Sequence, residues 1–177
     1  MKPFFSYLLL PLFFIYSSCA QNQEKRYHKN TDSINVRIPE KPISRVSDFE
    51  GIFTAEESFY LDSVIAKHQE ETTNEIAIVT YHLDSSQIRT PEEFNAYSLA
   101  LFREWGVGEK DKNNGVGVLI SENLRRIRIE VGYGLEAKLK DAEAKTIIDS
   151  IIIPEFKNGQ YFSGISKGLE AIMREIK

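Results

Sequence analysis

Residues 124–141 read LRRIRIEVGYGLEAKLKD, and this stretch decides the fold. Ile127, Ile129 and Val131 alternate with charged residues, which is the pattern of a strand with one buried face. Two glycines then flank Tyr133 and predict a sharp turn in which the backbone amides are exposed. A helix begins after this turn. Any chemistry in the chain is expected at this turn.

Two helices are predicted upstream of this stretch. A capping box formed by Thr54 and Glu57 predicts a helix over residues 55–71, and a second box at Thr90 and Glu93 opens another helix. In the second helix an aromatic stripe recurs at helical spacing, which is more typical of a core than of a cofactor site.

Two further strands complete the predicted sheet. Residues 75–81 and 116–120 are continuous apolar runs, as expected for strands covered on both faces, and they predict a layered α/β sheet. Residues 116–120 and 125–131 are joined by a short turn and predict an antiparallel hairpin at one side of that sheet. His82 follows the first run, where loops often carry function, although one histidine is a weak signal.

The polar loop before residues 116–120 contains several oxygen donors, among them Glu109, Asp111, Asn113 and Asn114. Counting from Asp111 as the first ligand of an EF-hand, the glycine falls at the fifth place instead of the sixth. An isolated EF-hand is therefore excluded. The sequence predicts a turn instead, in which Asn114–Gly115 supplies a positive φ.

Downstream of the GYG turn, Asp141 is predicted to cap a helix over residues 142–153 that ends at Pro154. A last amphipathic helix follows Gly159.

The composition limits the function classes. The chain has 177 residues, of which 42% are hydrophobic and 27% charged, as expected for one globular domain with a core. Its formal net charge of -4 gives no basic excess, so nucleic-acid binding is not expected. One cysteine cannot form an intrachain disulfide, and no thiolate or histidine set is present for zinc or copper.

The N-terminus differs in composition from the rest of the chain. Residues 1–18 contain an apolar run over residues 4–15, too short to span a bilayer, and predict a signal peptide. Cys19 follows small residues and resembles the lipid-modified cysteine of bacterial lipoproteins; the alternative is an ordinary signal peptide in which Cys19 is incidental. Residues 19–42 are polar and predict a lipid-anchored flexible tether before a domain over residues 43–177.

Three motifs together resemble the TPM domain family. They are VSDFEGIFTAEE (residues 46–57), FREWGVGEKDKNNGVGVLIS (residues 102–121) and RRIRIEVGYGLEAKLKD (residues 125–141). The resemblance covers residues 43–177 and implies a three-layer α/β/α sandwich with a small mixed central sheet and Rossmann-like layering. The order of helices and strands derived above agrees with it.

The resemblance also implies a site. The positions that match the family's acidic cluster are Asp48, Glu136 and Asp141, with Asp111 and Asn114 as further candidates. Carboxylate and amide oxygens suit calcium or magnesium, so these five residues are the expected metal ligands, and Asp48 and Asp141 are the candidate catalytic residues. The alternative is that Asp48 and Asp141 only cap turns and helices.

Two functions follow from the resemblance. The first is an extracytoplasmic, lipid-anchored binding module of the bacterial cell envelope, which holds calcium in an acidic cleft and docks to a membrane-protein complex for assembly or repair. The second is a cation-dependent acid phosphatase that acts on phosphomonoesters. No independent phosphatase motif is present, and the first function is preferred.

Overall fold

The structure, a computed structural model, describes residues 36–41 and 44–177. The predicted signal peptide, Cys19 and most of the predicted tether lie outside this part. The strands are β1 (Val46–Asp48), β2 (Glu75–Thr80), β3 (Gly115–Ser121) and β4 (Arg126–Val131). The helices are α1 (Ala55–Thr72), α2 (Pro91–Trp105), α3 (Asp141–Ile147), α4 (Ile153–Phe156) and α5 (Tyr161–Ile176).

The strands form one mixed sheet in the order β1-β2-β3-β4. β1 pairs with β2 and β2 with β3 in parallel, whereas β3 and β4 are antiparallel. The predicted hairpin is therefore confirmed, and it places β4 at the edge of the sheet. Asp48 pairs with Thr80 at the carboxyl end of β2, while Gly115 pairs with Glu75 at its amino end.

One face of the sheet is covered by α1, α3 and α5. Leu61 and Ile65 of α1 pack there against Ile76 and Ile78 of β2. The buried residues that the C-terminal helices add to this face are Ala144, Ile147, Ile152, Ile165, Leu169, Ala171, Ile172 and Ile176.

The opposite face is covered by α2. Its aromatic stripe, with Leu101 among the rings, is buried against Val79 and Leu119. The aromatic members are Phe94, Tyr97 and Trp105. At Gly117 of β3 an added Cβ would lie 2.3 Å from Cδ2 of Phe102, so α2 lies very close to the sheet. Helices on both faces of a small mixed sheet confirm the three-layer α/β/α sandwich.

The predicted capping boxes are confirmed. Thr54 and Thr90 each accept from the backbone amide three residues on, at 3.2 Å, and the carboxylates of Glu57 and Glu93 accept in return from the two threonine amides. Gly106 ends α2 in the left-handed conformation at φ 62.

Two predictions about the third helix are wrong. Lys140, not Asp141, is the N-cap: the Glu143 carboxylate accepts from the Lys140 amide at 2.6 Å, and Asp141 is already helical. Pro154 does not end the helix either, because a π-helical segment over Ile148–Ile152 leads directly into α4. The Ile153 amide donates to the carbonyl of Ile148, five residues back. This wider turn leaves room for the ring of Pro154, which has no backbone N–H to donate.

The positive φ expected at Asn114–Gly115 is found elsewhere. Gly108 and Asn113 adopt φ 96 and φ 50, and no positive φ occurs at Gly115. Gly115 is required for another reason: an added Cβ would lie 2.2 Å from the carbonyl oxygen of Val107.

Residues 36–41 lie against α2, and we call them the strap. The Tyr97 hydroxyl donates to the carbonyl of Arg37 at 3.1 Å, and the Trp105 indole N–H donates to that of Pro39 at 3.0 Å. Val36 and Ile38 pack against the core of this face. Among the described residues, no helix combines the length and the apolar character needed to cross a bilayer.

Candidate functional site

Asp48 lies at the carboxyl end of β1 and is half-buried. Its Oδ1 accepts from the amide of Ile52 at 3.1 Å and from the Thr80 hydroxyl, and its Oδ2 accepts from the amide of Phe53 at 2.8 Å. Both carboxylate oxygens thus hold the loop that follows β1. This is the turn-capping arrangement that the sequence left open as an alternative.

Asp111 and Asn114 lie in the loop that precedes β3. Asp111 is exposed, whereas Asn114 is 4% exposed. The amide oxygen of Asn114 accepts from the backbone of Glu109 at 2.8 Å, and its nitrogen donates to the carbonyl of Thr73 at 2.7 Å. The side-chain oxygen of Asn114 therefore holds the loop to itself, and its side-chain nitrogen fastens the loop to the end of α1.

The GYG turn packs against the same loop. An added Cβ at Gly134 would lie 2.0 Å from the carbonyl oxygen of Lys112, and one at Gly132 would lie 2.3 Å from that of Asn113. The Gly132 amide donates to Gly115 at 2.7 Å and the Gly134 amide to Asn113 at 3.0 Å. The expectation of exposed amides is wrong for both glycines, which serve close backbone contact instead.

Glu136 and Asp141 follow this turn, and both are exposed. The Asp141 carboxylate lies 3.6 Å from Nη2 of Arg128 in β4, with 87% of its side chain exposed. An ion pair this open to water contributes little to stability.

The structure brings some of the predicted residues together and separates others. Asp111, Asn114 and Glu136 lie at the amino end of the parallel strands, where Gly134 contacts Asn113. Asp48 lies at the opposite end, about 17 Å away at a rise of roughly 3.3 Å for each residue of β2. Across residues 36–41 and 44–177, no three His, Cys, Asp or Glu side chains form a group that could hold a metal ion.

The carboxyl end of the sheet carries polar groups that the sequence analysis did not connect. The Glu50 carboxylate accepts from the amide of Glu122 at 2.9 Å, and burial raises the pKa of Glu50 above its usual value. The hydroxyl of Tyr161 donates to Glu122 at 3.1 Å. These residues come from three separate segments, so only the strand order could have grouped them.

Comparison with solved structures gives the same fold. The N-terminal domain of a protein from P. gingivalis is 31% identical, with a TM-score of 0.64, and the match covers 75% of this chain and 81% of that one. BA42 from Bizionia argentinensis is 20% identical, with a TM-score of 0.60 and coverage of 72% and 83%. The N-terminal domain of cg2496 from Corynebacterium glutamicum is 13% identical, with a TM-score of 0.57 and coverage of 81% and 87%.

A comparison with curated proteins finds no match. The family model described as the TPM domain matches residues 46–175. This range includes all four strands and all five helices, except for the last residue of α5. The chain therefore belongs to the TPM domain family.

Proposed function

We propose that this chain is a binding module of the bacterial cell envelope. A lipid on Cys19 would hold the domain at the extracytoplasmic side of a membrane, where it would dock to a membrane-protein complex during assembly or repair. Divalent cation binding would support that docking.

The observation that carries this proposal is the exposure of Tyr133, 79% of which is open to solvent. Its two neighbouring glycines are packed against backbone carbonyls, so the ring stands on a turn with little freedom to move. An aromatic side chain exposed on a closely packed turn is typical of the residues that dominate protein interfaces.

Cation binding is proposed at the same end of the sheet. Asp111 and Glu136 are exposed on two segments that the Gly134–Asn113 hydrogen bond joins. Two carboxylates, with water as the remaining ligands, fit calcium or magnesium only as a weak site. We expect a Kd of about 10⁻⁴–10⁻³ M, the range of extracellular modules.

The competing function is cation-dependent hydrolysis of phosphomonoesters. It requires a carboxylate that is free to act as base or nucleophile. Both oxygens of Asp48 are engaged by its own loop, and Asp141 is exposed beside Arg128. The surroundings of Asp48 and of Asp141 therefore do not favour phosphomonoester hydrolysis over a binding function.

A calcium titration of the full chain in mild detergent tests the cation site. The melting temperature should rise with calcium, since a ligand at ten times its Kd stabilises the native state by roughly 1.4 kcal/mol. The Asp111→Asn, Glu136→Gln double variant should lose this rise, and the exposed Glu170→Gln should keep it. A rise that survives the double variant contradicts the proposed ligands.

A photo-crosslinking residue at position 133, in the living cell, tests the docking surface. A specific adduct with a membrane protein is expected there and not at Phe59, which is 76% exposed and serves as the matched control. No adduct at 133 contradicts the proposal. Hydrolysis of a generic phosphomonoester that Asp48→Asn or Asp141→Asn abolishes, without loss of folding, would favour the phosphatase instead.

A further inference from the structure

A pocket of about 440 Å³ opens where β2 ends, on the α2 side of the sheet. This volume lies within the range of small-molecule sites, ~300–1,000 Å³. One wall is the strap and the other is the segment between β2 and α2. The lining residues are Val36, Arg37, Tyr81, His82, Asp84 and Gln87.

The position of the pocket in the fold favours a ligand site. After β1 the chain passes to the α1 face, and after β2 it passes to the α2 face. The two connections diverge at the carboxyl ends of adjacent parallel strands, which is the place where open α/β sheets bind ligands.

Ring contacts and a hydrogen bond support the walls of the pocket. The ring of Tyr81 is stacked on Tyr97 at 6.4 Å between centroids, and Phe49 meets it edge-on at 5.7 Å. The Tyr97 hydroxyl also donates to the backbone carbonyl of Arg37 and so holds the strap. This bond does not involve the Arg37 guanidinium.

Hydrogen bonds also hold the segment after β2. The side-chain amide of Asn123 donates to the carbonyl of Leu83 at 2.7 Å, and the Asp84 carboxylate accepts from the amide of Ser86 at 2.7 Å. The bonds from Ser86 hold the pKa of Asp84 below its usual value, so the carboxylate is ionised at neutral pH.

The pocket thus presents both signs of charge beside an apolar wall. Arg37 is a permanent cation and Asp84 is an anion, while Val36 and the ring of Tyr81 supply apolar surface. A simple anion would be repelled by Asp84 and by the net charge of -4.

We propose that this pocket binds a free α-amino acid with an apolar side chain. Its carboxylate would lie at Arg37 and His82, its ammonium group at Asp84, and its side chain against Val36 and Tyr81. This site is at the opposite end of the sheet from Tyr133 and is independent of the proposed cation site and docking.

Chemical-shift mapping of the full chain, labelled with ¹⁵N in mild detergent, tests the proposal with L-leucine as the probe. We expect shifts of the amides of residues 81–87 on titration to about 10 mM, enough to saturate a site of millimolar affinity. N-acetyl-L-leucine and L-leucinamide each lack one charge. Each should bind with an affinity lower by about tenfold or more, because each loses a charge-assisted hydrogen bond.

Variants with matched controls identify the groups responsible. Arg37→Gln and Asp84→Asn should each weaken leucine binding about tenfold. Both should keep the fold, since Arg37 holds the strap through its carbonyl and asparagine can still accept from Ser86. Arg103→Gln and Glu92→Gln are the matched controls, because each removes one charge, positive or negative, from an exposed position of α2. Both variants should bind leucine as the parent does.

Three outcomes would overturn the proposal. The first is the absence of shifts in residues 81–87 at the highest leucine concentration. The second is equal affinity for leucine and N-acetyl-L-leucine, or for inorganic phosphate, which would make the pocket a site for anions. The third is unchanged binding in both pocket variants.

Discussion

Glu130 brings a carboxyl group into the contact between β4 and α2. Its side chain is 15% exposed, and Oε1 accepts from Nε of Arg128 at 3.1 Å. Burial raises the pKa of Glu130 above its usual value of 4.5, and the guanidinium of Arg128 offsets only part of that shift. The folded protein therefore holds this proton more tightly than the unfolded chain does.

This shift predicts a pH dependence of stability. The contribution of Glu130 is fully present below its unfolded pKa of 4.5 and is lost as pH rises through the higher folded pKa. Relative to Glu130→Gln, which can still accept from Arg128, the parent should lose unfolding free energy across that window. Urea unfolding of both proteins at several pH values measures it. A difference between them that stays constant with pH would refute the prediction.

Gly134 shows how a single missing Cβ fixes a turn. An alanine there would place its Cβ 2.0 Å from the backbone oxygen of Lys112, which cannot move aside as a side chain could. We expect Gly134→Ala to lower the unfolding free energy by about 1–3 kcal/mol in urea unfolding. Tyr133→Ala, in the same turn but exposed, should change it by less than about 0.5 kcal/mol. Equal effects of the two substitutions would contradict the packing role.

Contacts between residues close in sequence are predictable, whereas contacts between distant segments are not. The capping boxes at Thr54 and Thr90 were predictable because both partners are three residues apart. The role of Gly134 was not, because Lys112 approaches it from a distant segment. The same holds for Asn114, whose contact with Thr73 joins two elements.

At the scale of elements, the contact between α2 and β3 depends on Gly117. An alanine Cβ there would lie 2.3 Å from the ring of Phe102, in a buried layer. We expect Gly117→Ala to cost about 1–3 kcal/mol of unfolding free energy, because the helix must move or the ring must leave its rotamer. Thermal or urea unfolding checks this.

A double variant distinguishes ring contact from a general effect on the strand. Combined with Phe102→Leu, which removes the ring, Gly117→Ala should cost less than it does in the parent, by about 0.5–3 kcal/mol of coupling. Additive effects would show that the ring is not what limits the approach of α2.

The third helix shows why an element boundary was misplaced. Proline inside a regular α-helix breaks a hydrogen bond and clashes with the preceding turn, so the sequence predicts that Pro154 ends the helix. The π-helical segment before it widens the turn, and the sequence carries no pattern that predicts such a segment.

At the scale of the whole molecule, the strand order limits what sequence can predict. β1, β2 and β3 are parallel and follow one another across the sheet, yet α1 and α2 lie on opposite faces. One of the two crossovers must then be left-handed, against the strong preference for right-handed ones. Sequence rules would place both helices on one face. The direction of β4, antiparallel to β3, is what puts Glu136 at the opposite end of the sheet from Asp48.

The strap connects the N-terminal chain to this topology, and its attachment can be measured. The indole of Trp105, the only tryptophan, donates to the carbonyl of Pro39 at 3.0 Å and is 3% exposed. Val36→Ser with Ile38→Ser removes the apolar contacts that hold the strap on α2. Each half-buried side chain contributes on the order of 1 kcal/mol, so hydrogen exchange of the indole N–H should accelerate roughly tenfold or more.

Glu40→Ser, an exposed substitution in the same segment, is the matched control and should leave the exchange rate unchanged. If the double variant also left it unchanged, the indole would be protected by α2 alone and the strap would contribute nothing. If the rate rises as expected, the folded unit includes Val36 and Ile38, which lie upstream of the predicted boundary at residue 43. Release of the strap would also open the pocket, because it would remove Arg37 from Tyr81 and Asp84.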